Sequence, residues 1–196
     1  MEAFELDNYT YQDYLDIDKT TPDSERYELI FGHIYMMSGA SRPHQDVVLN
    51  IAMLFKDLEK SSKCATVIAP YDIKLKCINQ TNVVQPDVIL FCEDENLPCL
   101  VAEVLSPSTA IKDKQIKKDL YECSLIQNYL IIDPINRYID KYTLQDGKYI
   151  YEKCYGDDEE MFLECINQSV ETKEFFPDKK EDDEWAFYKK HRDQRV

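Results

Sequence analysis

Apolar and polar residues recur with two different periods along this chain, and each switch of period marks an element. "SRPHQDVVLNIAMLFKDLEK" (41–60) brings Val47, Ile51, Leu54 and Leu58 onto one face and predicts the best helix. Ser41 is placed to cap it, and Pro43 suits its first turn. "NYTYQDYLDI" near the start predicts a short helix by the same spacing, and "PSTAIKDKQIKKDLYECSL" (107–125) predicts another. "RYELIFGHIYMMS" (26–38) alternates around a glycine, which predicts a hairpin or two short strands. Further strands are predicted in "ATVIA", "YDIKLK", "VVQPDVILF", "CLVAEVL" and "NYLIIDP". "RYIDKYTLQDGKYIYEKCY" predicts two strands joined at Asp146-Gly147, a hairpin signal. Beyond Gly156 the pattern fades, and "KKEDDEWAFYKKHRDQRV" predicts an exposed helix or a partly ordered tail. The expected fold is α/β (mixed α+β), with one central mixed sheet flanked by helices. One domain is expected over 1–156, with 157–196 an acidic C-terminal extension packed on it or partly disordered.

Two of the apolar runs are interrupted by a carboxylate. Asp87 lies in "VVQPDVILF" and Glu103 in "LVAEVLS". A charge in a core strand costs several kcal/mol, on the order of a domain's whole stability margin, unless it is paired or bound. Two such acids in successive strands suggest neighbours in space. Either each pairs with a lysine, or together they hold a divalent cation, for which hard oxygen donors suit Mg²⁺ or Mn²⁺. Asp113, Lys117 and Tyr121 recur every four residues and so share one stripe of the following helix. That stripe is either a solvated salt bridge or a lysine aimed at the two acids, with Lys118 rotated about 100° away.

Composition narrows the class. The net charge of -15 argues against a broad phosphate-binding surface, but residues 29–150 carry only -2 of it. No apolar run is long enough for a membrane span, and no leader segment is evident, so a cytoplasmic protein is expected. Seven cysteines with irregular spacing and no CxxC are expected to be reduced core residues, rather than zinc ligands or disulfides.

With these residues in place, the chain resembles the Uma2 (DUF820) family of restriction-endonuclease-like proteins, within the PD-(D/E)xK nuclease superfamily. The resemblance rests on "YELIFGHIYMMS" with "PH" after it, "VIAPYDIKL", "VVQPD", "AEVLSPST", the Asp113–Lys117–Tyr121 spacing and "YLIIDP", covering about 26–135. It implies a restriction-endonuclease-like core and a metal-dependent endonuclease hydrolysing DNA phosphodiester bonds with Mg²⁺ or Mn²⁺. Asp87 and Glu103 would be metal ligands, with the Val104 backbone carbonyl completing the shell. The superfamily's lysine position holds Leu105, so Lys117 is the expected catalytic cation, with Asp113 and Tyr121 orienting it. Glu28 matches a family acid and is either a site residue or a strand-edge acid. His44 is either a base or substrate contact, or a helix-cap histidine. Lys74 is either a phosphate contact or an outward residue of an edge strand. The alternatives left open are an inactive member serving as an oligomeric interaction module, and an RNA or nucleotide phosphodiesterase. A homodimer is left open as well.

Overall fold

The computed structural model describes residues 8–22, 24–37, 39–93, 96–107 and 110–178. The tail predicted over 179–196 lies outside the described residues. Helix α1 (Tyr11–Thr20) leads into β1 (Tyr27–Ile30), β2 (His33–Met36) and α2 (Arg42–Leu58). Strands β3 (Cys64–Ile68), β4 (Ile73–Cys77), β5 (Gln80–Val84), β6 (Val88–Cys92) and β7 (Leu100–Val104) follow. A π-helical stretch, Lys112–Lys117, runs into α3 (Lys118–Cys123). Strands β8 (Asn128–Asp133), β9 (Tyr138–Gln145), β10 (Lys148–Tyr155), β11 (Glu160–Leu163) and β12 (Gln168–Glu171) complete the described chain, with a 3₁₀ turn at Thr172–Phe175.

A six-stranded mixed sheet, ordered β10-β9-β8-β7-β6-β3, forms the centre. Within it β7 and β8 are parallel and the other neighbours antiparallel. The alternation of side chains divides its core in two. Val88, Leu90, Leu100, Ala102, Leu130 and Ile132 face α2 and the C-terminal segment, where Met161, Leu163, Val170 and Phe175 close the layer. Ile89, Phe91, Val101, Tyr129 and Ile131 face α3 and a second, four-stranded antiparallel sheet ordered β2-β1-β5-β4. Burial on both faces explains why the central strands read as unbroken apolar runs.

Three expectations change. "VVQPDVILF" is two strands rather than one: β5 belongs to the small sheet and β6 to the large one, with Gln85-Pro86-Asp87 crossing between them. Proline has no N–H to give a ladder, so the break falls there. The helix predicted over 107–125 is π-wound in its first part rather than regular. The cysteines are not all reduced. Register places Cys64 opposite Cys92 across the β3–β6 pair, and the two are bonded. Cys77 at the end of β4 is bonded to Cys123 at the end of α3. Neither pairing is visible in the linear spacing, because each joins elements that only the fold brings together.

Candidate active site

Glu103 alternates with Val101 and Leu105 on the sheet face beneath α3, so its carboxylate enters a packed layer rather than water. Asp87 immediately precedes β6, and Val88 pairs with Ala102 across the antiparallel β6–β7 ladder. The start of β6 and the end of β7 therefore coincide, and both acids line one cavity of about 350 Å³.

Each acid is held by named partners. Asp87 Oδ2 accepts from the Val104 backbone N–H at 2.8 Å and lies 3.1 Å from His44 Nε2, in the first turn of α2. Glu103 Oε1 accepts from Lys117 Nζ at 2.9 Å and from the Tyr121 hydroxyl at 2.6 Å. Lys117, only 3% exposed, also lies 2.8 Å from Glu28 Oε1 and 3.8 Å from Asp113 Oδ1. Glu28 is fully buried and accepts from the Gln85 backbone N–H and from Lys112 Nζ at 2.6 Å. The π-winding joins the two lysines: residues five apart lie on nearly the same side of a π-helix, so Lys112 and Lys117 reach the same carboxylate, which α-winding would place on different faces.

Three carboxylates, of Glu28, Glu103 and Asp113, thus meet two lysines with Asp87 close by, and the crowding shows in the titration of Glu103, Lys117 and Glu28. Burial pushes the Glu103 carboxyl up to about 8, against the pull of Lys117, and the nearby Asp113, Asp87 and Glu28 add to the rise. Burial alone would lower Lys117, but Glu103, Glu28 and Asp113 hold its ammonium well above the ordinary value. Burial would raise Glu28, but Lys117 and Lys112 bring it below the usual carboxylate range.

The structure thus gathers Asp87, Glu103, Lys117, Asp113, Glu28 and His44 at one place. Tyr121 joins them with a different contact from the one expected: it donates to Glu103 rather than orienting Lys117. Lys74 is not brought there, since its ammonium lies over the Tyr11 ring, 5.5 Å from the centroid. Lys118, one position past Lys117, lies over Tyr142 instead. Leu105 packs in the apolar layer. Lys112 and Gln85 are members the sequence reasoning missed; the basic run "KDKQIKK" pointed to the segment but not to the residue.

The donor set fits a hard divalent cation. Asp87 and Glu103 each commit one oxygen to protein partners, and among the described residues the other oxygen of each takes none. Val104 turns its N–H toward Asp87 while the next N–H, of Leu105, goes to Ile132 on β8. An extended residue sends its N–H and C=O to the same edge, so the Val104 carbonyl leaves on the Asp87 side. No three His, Cys, Asp or Glu side chains form a ready metal cage among the described residues. Mg²⁺ needs none, since it uses one or two carboxylates and keeps several waters.

This mixed α+β architecture is shared with a solved protein, described as "a putative nuclease belonging to DUF820", from Anabaena variabilis. The two match with a TM-score of 0.64 at 16% identity, over 85% of this chain and 96% of that one. The family model Uma2, described as "Putative restriction endonuclease", matches residues 11–171, and the chain belongs to that family. Two Synechocystis sp. proteins are similar to it, both described as uncharacterized. The first, slr1290, is 33% identical over 131 residues, 62% of this chain and 68% of its own. The second, sll1609, is 27% identical over 150 residues, 70% of this chain and 84% of its own. No helix among the described residues is long and apolar enough to cross a membrane.

Proposed function

We propose that this protein is a metal-dependent endonuclease that hydrolyses DNA phosphodiester bonds at the Asp87–Glu103 cavity. The observation that carries this reading is the pairing of two carboxylates, each with an uncommitted oxygen, in one cavity beside a buried lysine. A bound Mg²⁺ or Mn²⁺ would supply an activated water and neutralise charge on the phosphate. Asp87, Glu103 and the Val104 carbonyl would hold it. His44 and the Val104 N–H fix the Asp87 carboxylate by its Oδ2, leaving Oδ1 for the ion. Lys117, clamped between Glu28 and Glu103, keeps its proton and offers positive charge to the attacking oxygen or the phosphate. Tyr121 and Asp113 keep the Glu103–Lys117 pair in register. DNA is the substrate that this reading names, and a homodimer would carry two such sites.

The test is cleavage of supercoiled plasmid, linear duplex, single-stranded DNA and RNA with Mg²⁺, Mn²⁺ or chelator. Metal-dependent DNA cleavage lost in Asp87→Asn and Glu103→Gln is expected, together with a metal-induced rise in Tm that Asp87→Asn abolishes. RNA cleavage alone would replace DNA as the substrate. No cleavage and no Tm response to either metal would favour the interaction module.

A further inference from the structure

Away from the acid cluster, four cysteines from four separate segments meet at one end of strands β3, β6 and β7 of the large sheet. Cys64 opens β3, Cys92 closes β6, Cys99 directly precedes β7, and Cys165 lies in the turn between β11 and β12. All four pack against the core layer under α2. Cys64 and Cys92 are bonded to each other, while Cys99 and Cys165 are free thiols. The Cys99 Sγ lies 3.1 Å from the Cys92 Sγ, and Cys165 is hydrogen-bonded to Cys99 in turn. A free thiol in contact with a disulfide sulfur is the starting arrangement for exchange, which needs a thiolate beside the sulfur it attacks.

We propose that Cys64, Cys92, Cys99 and Cys165 form an intramolecular thiol–disulfide exchange chain, with Cys99 as the attacking thiol. Cys99 gives up its proton, and its sulfur forms a bond to the Cys92 Sγ. The Cys64–Cys92 bond breaks, its electron pair leaves on the Cys64 sulfur, and that sulfur takes up a proton. One disulfide exists before and after, so no oxidant is consumed. A second exchange, in which Cys165 attacks the Cys99 Sγ and releases Cys92, moves the bond to Cys99–Cys165. The covalent tie then passes from the β3–β6 pair to the junction between the sheet and the C-terminal hairpin. The first step has its two sulfurs already in contact. The hydrogen bond to Cys99, together with burial, pushes the Cys165 thiol up, so little of it is ionised near neutral pH.

The chain is tested by mass-spectrometric mapping of linked peptides from the full-length protein, acid-quenched and alkylated without reduction after incubation at rising pH. Cys64–Cys92 and Cys92–Cys99 peptides are both expected, within about tenfold of each other. The ratio should rise to its plateau faster at higher pH. Cys64→Ser, equilibrated in a buffer of glutathione and its disulfide, should form Cys92–Cys99. Cys165→Ser should keep Cys92–Cys99 and lose any Cys99–Cys165. Cys77–Cys123 should stay intact throughout and serves as the internal control. The proposal is overturned if wild-type protein yields Cys64–Cys92 alone at every pH, which needs no variant to fold. It is equally overturned if soluble Cys64→Ser leaves Cys92 and Cys99 as free thiols. Stoichiometric zinc, with all four cysteines shielded from alkylation in the reduced protein, would overturn it in favour of a metal–thiolate site. None of these outcomes depends on nuclease activity.

Discussion

At the scale of single residues, the site is a charge cluster built inside a core, and its members have unequal weight. Lys117 is the shared partner of three buried acids. Removing it leaves buried carboxylates uncompensated, so Lys117→Ala should lose about 3 kcal/mol or more of stability. Lys118→Ala gives up a contact with the Tyr142 ring and should lose about 1 kcal/mol or less. Urea denaturation of the two variants measures the difference. Equal losses would mean that Lys117 is solvated. The Glu103 proton gives a second expectation. The unfolded carboxyl titrates near 4.5, while the folded one is pushed up to about 8. Between those values the folded state binds more protons, so stability falls as pH rises from about 5 to about 8. Glu28 titrates below its ordinary value and acts only at lower pH. In chelator, Tm should therefore fall across that window, and Glu103→Gln should flatten the slope. Asp87 and Glu103 were legible because a charge inside an apolar run stands out, and Lys117 because it shares a four-residue spacing with Asp113 and Tyr121. Lys112 and Gln85 were not, because their contacts depend on the winding of one helix and on one strand crossover.

At the scale of elements, local chemistry was legible where it acts within a few residues. The Ser41 cap and Pro43 in the first turn start α2 where the sequence places them. The β9–β10 hairpin turns on Asp146 and Gly147, both in the left-handed region at φ 51 and 76. A two-residue turn of that shape matches the twist of its strands. Gly147→Ala has open space for its methyl but an unfavourable φ, so it should cost about 1 kcal/mol, on the scale of a left-handed non-glycine residue. Asp146→Asn should be neutral or slightly stabilising. A thermal-shift comparison of the two variants checks both, and an unaffected Gly147→Ala would show that another turn conformation is accessible. What local chemistry could not convey is winding and sheet membership. Gln85-Pro86-Asp87 marks a break within residues 83–91, but the strands on either side are equally apolar and buried, so nothing in their hydropathy says that they join different sheets. The π-winding of Lys112–Lys117 is set by its tertiary contacts. The Tyr129 hydroxyl donates to the Asp113 carbonyl, and Glu28 draws both lysines to one side.

At the scale of the whole molecule, the segment 157–178 contributes to the hydrophobic core. Its sequence is acidic, and its apolar residues are spread thinly, so the pattern hides its contribution. In the fold, Met161, Leu163, Val170, Phe175 and Phe176 are all buried against α2 and the large sheet. Phe175 meets Phe55 edge to face, with centroids 6.3 Å apart. The buried Lys141 of β9 is tied to the same segment, through the Phe162 carbonyl at 2.6 Å and Glu164 at 2.9 Å. Burying five such side chains stabilises by roughly 1.5–3 kcal/mol each before ordering costs. That is comparable with the 5–15 kcal/mol, to order of magnitude, that holds a typical domain together. A fragment ending at residue 156 would uncover Phe55 on α2 and strip Lys141 of two of its oxygen partners. It should therefore fail to give a cooperative thermal transition, although it retains every residue of the acid cluster. Phe175→Ala in the full chain should lose about 3–5 kcal/mol, the usual cost of truncating a buried phenylalanine. Circular dichroism melts of the fragment and the variant decide the matter. A fragment that melts cooperatively near the full-length Tm would mean that the segment covers a core able to stand without it.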